Sequence, residues 1–278
     1  HLVLRRQRQM CIRDRNNGRH DLPWRQKVTP YRIWISEIML QQTQVKTATP
    51  YFKNFIKKYP TQKKLSEASE DQILALWSGL GFYRRARNIF KTKEIIKEKY
   101  NNRFPKEFHQ LLELPGIGKS TAGAIMSLAY QNPHPILDGN VKRVITRLVN
   151  KNIDLLKESQ LWDLSSQFVN KENCFAYTQG IMDLGATVCT PTNPSCKDCP
   201  VQNQCMSAFN IINNKKRNVA QLKKVIPMNL SLIQTEDSLL LVKNEASSIW
   251  KNLWIPFESR SLESYTTVSY THLTLPTK

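Results

Sequence analysis

The amino-acid sequence predicts an all-α protein that carries a short α/β segment near its carboxyl end. Three observations support this fold class. From Thr29 to about Ala208, apolar residues recur at the three-to-four residue spacing of helices that bury one face. Prolines divide this stretch, as they do where helices begin and end. Beyond a polar, basic segment at Asn213–Lys224, the pattern changes to short runs typical of strands.

Several helices can be assigned from this pattern. Ile73–Leu80 and Ile89–Tyr100 carry apolar residues near helical spacing, and Tyr31–Leu40 is predicted as a largely apolar helix. A clearly amphipathic helix follows Gly139, with an apolar face made of Val141, Val144, Ile145, Leu148 and Val149. We expect helix boundaries at five prolines, namely Pro30, Pro50, Pro60, Pro105 and Pro115.

A second, smaller domain is predicted after the polar segment, and residues 213–224 are interpreted as the linker that leads to it. Val225–Ile233 and Ser238–Val242 have the composition of β-strands. Residues 225–267 are too few to enclose a core, so we expect a truncated domain.

The net charge is strongly positive, because 41 lysines and arginines outnumber 22 aspartates and glutamates to give +19. Such a surface attracts polyanions, of which nucleic acid is the commonest, although a merely soluble basic protein would also fit. No apolar run approaches the roughly 18 residues that a membrane span needs. The Arg-rich start also lacks the apolar stretch of a signal peptide, so we expect a cytoplasmic protein.

Both ends of the chain carry the signature of one short DNA adapter. Met10–Asp14 can be encoded by ATGTGTATAAGAGAC, and the reverse complement of that sequence encodes Val268–His272. We therefore predict that residues 1–15 and 268–278 are non-native tags without function, and that the native protein is longer at both ends. Setting both segments aside leaves the chain strongly basic.

Four of the six cysteines form a cluster with C-x6-C-x2-C-x5-C spacing: Cys189, Cys196, Cys199 and Cys205. Four thiolates in so short a loop suit a tetrahedral sulfur site, for which zinc and iron–sulfur are both candidates. Two disulfides are a weaker alternative in a chain without a secretory signal. Metal ligation would stabilise a segment that is too short to fold alone.

A glycine-containing turn between two predicted helices, Lys106–Glu113 and Thr121–Tyr130, is a candidate DNA-binding hairpin. Its glycines allow close backbone approach, and amide N–H groups at the start of a helix bind phosphate well. An ordinary helical turn is the alternative. The candidate DNA-binding residues are Leu114, Pro115, Gly116, Gly118, Lys119 and Ser120.

Two carboxyl groups are candidates for acid–base chemistry. Glu37 lies in the apolar helix Tyr31–Leu40, where desolvation would raise its pKa as a general acid requires; a solvent-facing glutamate is the alternative. Asp138 precedes a helix, where it would be the N-cap and where the helix dipole favours its charged form. One neutral and one charged carboxyl group is the pair that glycosidic-bond cleavage uses.

These elements occur in the order found in one known family. They are LPW at 22–24, PY at 30–31, WISEIMLQQTQV at 34–45, WSGLG at 77–81, RARN at 85–88, the hairpin, ILDGNVKRV at 136–144 and the four cysteines. Together they resemble the MutY-type adenine DNA glycosylases over roughly Gly18–Phe257.

The resemblance implies a two-lobed helix-hairpin-helix glycosylase fold with a [4Fe–4S] loop. Residues 31–130 would form a six-helix barrel lobe that contains the hairpin, while 16–30 and 131–212 would form the iron–sulfur lobe. Residues 225–267 would be the opening of a truncated Nudix-like domain, which reads 8-oxoguanine. We therefore expect adenine excision with weak discrimination between 8-oxoguanine and guanine.

The same resemblance implies the substrate and the residue roles. Adenine opposite 8-oxoguanine or guanine in double-stranded DNA would be extruded into a cleft between the lobes. Glu37 would protonate adenine N7, Asp138 would stabilise the oxocarbenium-like sugar, and Asn140 would position the attacking water. The four cysteines would hold the [4Fe–4S] cluster. Further DNA contacts would come from Gln41, Gln42, Phe82 and Lys142. The protein is expected to be a monomer associated with the bacterial nucleoid.

Two departures from related families bear on the chemistry. Ser120 stands where the endonuclease III family has a lysine that attacks the sugar, so we expect a monofunctional glycosylase; Phe82 stands where the MutY family often has tyrosine. An endonuclease III-like glycosylase and lyase acting on oxidised pyrimidines is the nearest alternative, against which Ser120 and the Asp138–Asn140 triplet argue. A catalytically silent DNA-binding iron–sulfur protein is a second alternative, disfavoured because Glu37 and Asp138 are both present.

Overall fold

A computed structural model describes residues 2–210, 230–245, 250 and 253–258. The chain divides into two compact units, His1–Lys215 and Lys216–Lys278. The predicted linker at 213–224 and the predicted carboxyl-terminal tag at 268–278 lie outside the described residues, as does the beginning of the predicted strand Val225–Ile233.

The first unit is built of helices, which confirms the predicted all-α class. Short 3-10 turns follow α10 and shape the cysteine loop. The α-helices in the described part of the unit are α1 (Leu2–Asn17), α2 (Pro23–Gln26), α3 (Pro30–Leu40), α4 (Val45–Lys58), α5 (Gln62–Leu65), α6 (Glu70–Trp77), α7 (Arg84–Tyr100), α8 (Phe108–Leu112), α9 (Lys119–Ala129), α10 (Gly139–Leu148), α11 (Glu158–Phe168) and α12 (Cys174–Thr187).

Local signals explain where several helices begin. Thr29 accepts a hydrogen bond from the backbone N–H of Arg32 and precedes Pro30, the first residue of α3. Ser69 and Gln72 form a reciprocal capping box at the start of α6.

Pro50 corrects one predicted boundary, because it lies inside α4 and does not end it. Proline removes one backbone donor and disfavours a helix interior. The helix continues because Ala48, Phe52 and Phe55 on one face are fully buried, which offsets that cost. The other four prolines lie at helix starts or between helices, as predicted.

The helices of the first unit form two groups. The first group, α2 to α9, surrounds a core that contains Trp34, Phe52, Phe55 and Trp77. The second group, α1 with α10 to α12, buries Met10, Phe168 and Leu184. Helix α9 contacts α12 and joins the two groups.

Helix α2 contacts both groups. It packs against α3 and α4, and the Trp24 ring meets Phe52 edge-on at 5.4 Å between centroids. Its Arg25 pairs with Asp14 of α1 and with Asp183 of α12. The boundary between the lobes after residue 30 therefore stays a prediction.

The segment predicted as an amino-terminal tag forms most of α1 and packs along α12. Met10 is fully buried, and the Gln7 amide donates to the Phe168 carbonyl at 3.0 Å. Gly180 of α12 allows this close approach, because a Cβ there would lie 2.9 Å from the Met10 carbonyl oxygen. The adapter origin of residues 1–15 stays a prediction, but the structure places the segment within the packed helices.

The second unit contains antiparallel strand pairs in its described part. Strand β1 (Leu230–Ser231) pairs with β4 (Phe257–Glu258), and β2 (Val242–Lys243) pairs with β3 (Trp254–Ile255). Among the described residues of this unit, Ile255 and Asn244 are buried, while Trp254 is 55% exposed. The Nudix-like identity of this segment stays a prediction.

No helix in the described ranges is long and apolar enough to cross a bilayer.

Candidate active site

A cavity of about 510 Å³ lies where the two helical groups meet. Its walls come from the end of α3, the turn after it, the starts of α9 and α10, and the second half of α12. The cavity brings together the three predicted catalytic residues, which are far apart in the sequence. The residues that line it are Arg19, Glu37, Leu40, Gln41, Thr43, Gln44, Val45, Gly118, Ser120, Thr121, Asp138, Asn140, Met182 and Ala186.

Glu37 lies in the second half of α3 and lines this cavity. The residue is partly exposed because the cavity is open, yet its surroundings exclude enough water to affect ionisation. Burial of the carboxyl group, and then the negative charge of Asp138, raise the pKa of Glu37 to about 8. Among the described residues the carboxyl group has no hydrogen-bond partner, so its proton is free to be donated to a molecule in the cavity.

Asp138 is the N-cap of α10, and its carboxylate also lines the cavity. Its Oδ1 accepts a hydrogen bond from the backbone N–H of Val141 at 2.7 Å. The structural role expected for an aspartate at this position and a place in the cavity are therefore compatible.

Asn140 is held in the cavity wall by contacts from α10 and α12. Its Oδ1 accepts a hydrogen bond from Arg143 Nη2 at 2.9 Å, and the same nitrogen donates to the Gly185 carbonyl at 2.6 Å. Gly185 also makes room for Asn140, since a Cβ at position 185 would lie 2.6 Å from the Asn140 Cβ. The orientation of the Asn140 amide thus depends on α12.

Buried ion pairs lie beside the cavity, and sequence reasoning missed them. Asp183 of α12 pairs with Arg19 at 2.6 Å and with Arg25 at 3.0 Å, and Arg25 also pairs with Asp14 of α1 at 2.8 Å. Burial opposes ionisation of Asp183, but its hydrogen bonds and charge contacts with Arg19, aided by Arg25, hold its pKa below the usual range. An acidic residue inside the apolar run of α12 was the signal that could have indicated this network.

The predicted hairpin joins α8 to α9, and glycine is required at one of its positions. Gly116 has a φ of +82°, and a Cβ there would lie 2.8–3.2 Å from atoms of the Asn88 side chain. Leu114 is only 2% exposed, so its side chain is packed inside and anchors the turn. Any Leu114 contact with DNA would have to come from its backbone.

The start of α9 presents free backbone donors. The N–H groups of Gly118, Lys119 and Ser120 have no acceptor among the described residues. Gly118 is exposed and extended at the N-cap and supplies no side-chain cap. This end of α9 therefore combines unpaired donors with the positive end of the helix dipole, as a phosphate site does.

The turns after α3 and α6 carry three more predicted DNA contacts. Gln41 donates from Nε2 to the Gly116 carbonyl at 3.4 Å, which connects the end of α3 to the hairpin. Gln42 and Phe82 are exposed and have left-handed φ values of 56° and 48°. Non-glycine residues rarely adopt this conformation, and bulky side chains that do so are enriched at functional sites.

The cavity walls contain no lysine among the described residues. Ser120 lines the cavity, and its hydroxyl accepts a hydrogen bond from the Leu137 N–H at 3.0 Å. Lys142 is partly exposed on α10 outside the cavity lining, and Lys119 lies with its Nζ 5.8 Å from the Trp162 ring centroid. Within the part of the chain that the structure describes, neither lysine lines the cavity beside Ser120.

The four cysteines of the loop that follows α12 line a second, smaller cavity together with Arg147. Arg147 Nη1 donates to the Cys189 Sγ at 3.4 Å and to the Thr190 carbonyl at 2.7 Å, and Arg143 Nε donates to the Cys189 carbonyl at 2.7 Å. Burial, with smaller contributions from the neighbouring cysteines, raises the pKa of Cys199 to about 11. Metal ligation would therefore release protons from this loop.

The four thiols share this space without the arrangement of a single-ion site. In the described ranges, no group of three or more His, Cys, Asp or Glu side chains is placed to hold a metal ion. An all-sulfur donor set with an arginine beside it nevertheless fits an anionic thiolate-ligated group.

Comparison with known proteins places this geometry in a family. A family pattern described as "HhH-GPD superfamily base excision DNA repair protein" matches residues 35–161. The adenine DNA glycosylase of Buchnera aphidicola subsp. Schizaphis graminum is 46% identical over 244 residues, 86% of this chain and 70% of that protein. The human adenine DNA glycosylase is 39% identical over 199 residues, 67% of this chain and 36% of that protein.

Solved structures have the same fold. A thermostable thymine-DNA glycosylase superposes with a TM-score of 0.66 and 27% identity, covering 75% of this chain and 95% of that one. A non-covalent endonuclease III–DNA complex superposes with a TM-score of 0.62 at 22% identity, covering 73% of this chain and 93% of that one. At that identity the likeness concerns the fold alone.

Proposed function

The chain belongs to the adenine DNA glycosylase family, within the HhH-GPD superfamily of base excision repair proteins, and we propose that it removes adenine paired with 8-oxoguanine or guanine. It is a DNA glycosylase. The proposed reaction hydrolyses the N-glycosidic bond and leaves an intact DNA strand with an abasic site.

One observation carries this proposal: Glu37 and Asp138 share a single cavity, and the environment of Glu37 favours its protonated form. Adenine is a poor leaving group unless a proton is added to the ring as the bond breaks. A carboxyl group with a pKa near 8 is largely protonated at neutral pH and can supply that proton.

The proposed mechanism divides the chemistry among three side chains. Glu37 protonates N7 of an extruded adenine, and the bond between N9 and the sugar C1′ breaks with its electron pair moving to the base. The Asp138 carboxylate stabilises the positive charge that develops on the sugar. Asn140 orients the water that adds to C1′, and the water loses a proton to a carboxylate.

The absence of lysine from the cavity walls supports a hydrolytic, monofunctional reaction. A glycosylase that nicks the strand uses an amine to form a covalent Schiff base with the sugar. Ser120 occupies the cavity wall and cannot form that intermediate.

The DNA contacts are proposed from the exposed turns around the cavity. The free N–H groups at the start of α9 and the Lys119 and Lys142 side chains would bind phosphates, which positions the duplex without reading its sequence. Gln41, Gln42 and Phe82 would enter the duplex beside the extruded base.

The cysteine loop is proposed to hold a [4Fe–4S] cluster through Cys189, Cys196, Cys199 and Cys205. A cluster binds its four thiolates on separate iron atoms, so the sulfurs need not converge on one ion as zinc requires. The cluster would stabilise the loop, and no step of the base-release reaction involves it.

The proposal is tested with purified protein and duplexes that differ in one base pair. Adenine should be released from A:8-oxoG and A:G duplexes, and the product strand should break only after alkali treatment. A thymine glycol duplex is the matched control and should remain uncut. Strand nicking of that duplex without alkali would contradict the proposal and favour a lyase.

Iron and acid-labile sulfide analysis tests the cofactor separately. About four of each per chain are expected, together with the visible absorbance of thiolate-ligated iron. Stoichiometric zinc without sulfide would contradict the cluster.

A further inference from the structure

Arg85 of α7 is a buried cation that lies between the two exposed turns beside the cavity. Its residue exposure is 7%, and no carboxylate pairs with it among the described residues. Five backbone carbonyls accept hydrogen bonds from it. Nη1 donates to Ile38, Met39 and Gln41 at 3.1, 2.7 and 2.6 Å, and Nη2 donates to Leu80 and Gly81 at 3.5 and 3.2 Å.

The first three acceptors are carbonyls at the end of α3, where the helix leaves such groups unpaired. Neither the Ile38 nor the Met39 carbonyl accepts a backbone N–H within the described residues. The guanidinium therefore supplies the hydrogen bonds and the positive charge that complete this helix end, although it comes from another helix.

Nη2 of the same guanidinium donates to two carbonyls of the turn after α6, those of Leu80 and Gly81. The guanidinium carbon also lies 5.5 Å from the Phe82 ring centroid and 5.3 Å from that of Trp77. Phe82 is 60% exposed and has a left-handed φ. Gln42, in the other turn, also has a left-handed φ. Strained residues persist only when their surroundings hold them in place, and one side chain contacts both turns here.

We propose that Arg85 is a positioning residue, which holds the Gln41–Gln42 turn and the Gly79–Phe82 turn at a fixed separation so that both enter the duplex together during adenine extrusion. The inference rests on the proposed function, in which Gln42 and Phe82 contact DNA. Because Glu37 lies on the helix that Arg85 caps, the same contacts fix the acid relative to the two turns.

The geometry requires arginine and not merely a positive charge. The planar guanidinium directs Nη1 to one turn and Nη2 to the other, whereas a lysine ammonium is a single point that cannot donate to both. Arg85→Lys should therefore keep the buried charge but fail to restore the positioning.

The first test needs no substrate. Hydrogen exchange is measured on the free holoprotein for wild type, Arg85→Lys, Arg85→Met and the control Arg84→Met, which removes an exposed charge from the neighbouring position. Faster exchange is expected in residues 40–43 and 78–83 of both Arg85 variants, with the rest of α3 and α7 protected as in wild type. Unchanged exchange in either turn would overturn the proposal.

The second test measures single-turnover adenine release from an A:8-oxoG duplex with enzyme in excess, and fluorescence of 2-aminopurine beside the adenine reports unstacking. Arg85→Lys is expected to slow both signals by roughly ten- to hundredfold, as small misplacements do, while Arg84→Met keeps the wild-type rate. If Arg85→Met does not fold, the comparison of Arg85→Lys with wild type tests the proposal.

A double-mutant cycle identifies how Arg85 acts. In a Phe82→Ala background, Arg85→Lys should slow release by clearly less than in wild type, because the residue it positions is gone. If the two substitutions slowed adenine release by factors that simply multiply in the double variant, the proposed action through Phe82 would be overturned. If wild-type protein releases no adenine, the proposed function fails, while the hydrogen-exchange result still decides whether Arg85 holds the two turns.

Discussion

At the residue scale, the proposed chemistry depends on two carboxyl groups of similar intrinsic acidity that lie in different surroundings. Glu37 lies where its charged form is poorly solvated and where the charge of Asp138 opposes ionisation. Asp138 instead accepts a backbone hydrogen bond at a helix start. In the proposed mechanism, this difference in surroundings separates the proton donor from the stabilising anion.

The pH dependence of adenine release should reveal Glu37. Because the donor must be protonated, the single-turnover rate should fall above about pH 8, by roughly tenfold per pH unit. Single-turnover rates between about pH 6 and 10 on a saturating A:8-oxoG duplex measure this. A rate that stays constant to pH 10 would exclude Glu37 as the acid.

Glu37→Gln should abolish base release and leave DNA binding largely intact. The variant should also be more stable at alkaline pH. The folded-state pKa of Glu37 is raised from 4.5 to about 8, so the folded state binds the extra proton and wild-type stability falls as pH rises through that window.

Thermal unfolding at about pH 9 and pH 5 measures the stability effect. The variant should melt several degrees higher than wild type at pH 9, and the gain should shrink toward pH 5. Persistent adenine release would refute the catalytic role, while an equal change in melting temperature at both pH values would refute the raised pKa.

At the element scale, α10 and α12 together determine the geometry of the cavity wall. The start of α10 carries Asp138 and Asn140, and α12 approaches it closely at Gly185. Arg143 adds hydrogen bonds from α10 to the carbonyls of Gly185 and Cys189. Arg143 thus contacts both Cys189 and Asn140. Disorder in the cysteine loop should therefore affect the position of Asn140 in the cavity wall.

Gly185→Ala should impair both stability and catalysis. The added Cβ would lie 2.6 Å from the Asn140 Cβ. Separating α10 from α12 to relieve this clash should cost about 1–3 kcal/mol of unfolding free energy. Denaturant unfolding and single-turnover rates measure the two effects.

Gly139→Ala is the matched control, because a Cβ at position 139 meets nothing within 4 Å. Its stability should change by less than about 0.5 kcal/mol. If both variants were as stable as wild type, α10 and α12 would not be closely packed at Gly185.

At the scale of the whole molecule, the active cavity exists because two groups of helices meet. Glu37 comes from the first group and Asp138 from the second, and Arg19 joins the cavity wall to the buried Asp183. The second group includes α1, whose Asp14 extends the same ion-pair network through Arg25. Integrity of α1 should therefore influence the cavity even though no residue of α1 lines it.

Met10→Ala tests whether α1 belongs to the packed structure. Met10 is fully buried against α12, so its truncation should cost about 2–5 kcal/mol of unfolding free energy. Ile12→Ala is the control, since Ile12 is 39% exposed on the same helix and should be nearly neutral. If Met10→Ala were also neutral in thermal unfolding, residues 2–15 would behave as the dispensable tag predicted from the sequence.

Much of the fold could be predicted because helical periodicity is a local property. The helix α10 and most of its apolar face follow from Val141, Val144, Ile145 and Leu148, which are buried as expected. Val149, also predicted on that face, is the C-cap after the helix and is only partly buried. Pro50 shows the limit of local rules, since burial of neighbouring residues on α4 outweighed the helix-breaking tendency of proline. Leu114 shows a similar limit, because the hairpin motif does not indicate that this side chain is buried.

The sequence by itself determined the helical class, the glycine-containing turn and the four-cysteine spacing, and it indicated Glu37 and Asp138 as candidates, since each of these depends on residues within a few turns of one another. Only the tertiary structure decided that Glu37 and Asp138 share a cavity, that Asp183 is paired with two arginines, and that Arg85 contacts two separate turns. Desolvation, ion pairing and hydrogen bonding between distant segments depend on three-dimensional proximity, which no local pattern of residues encodes.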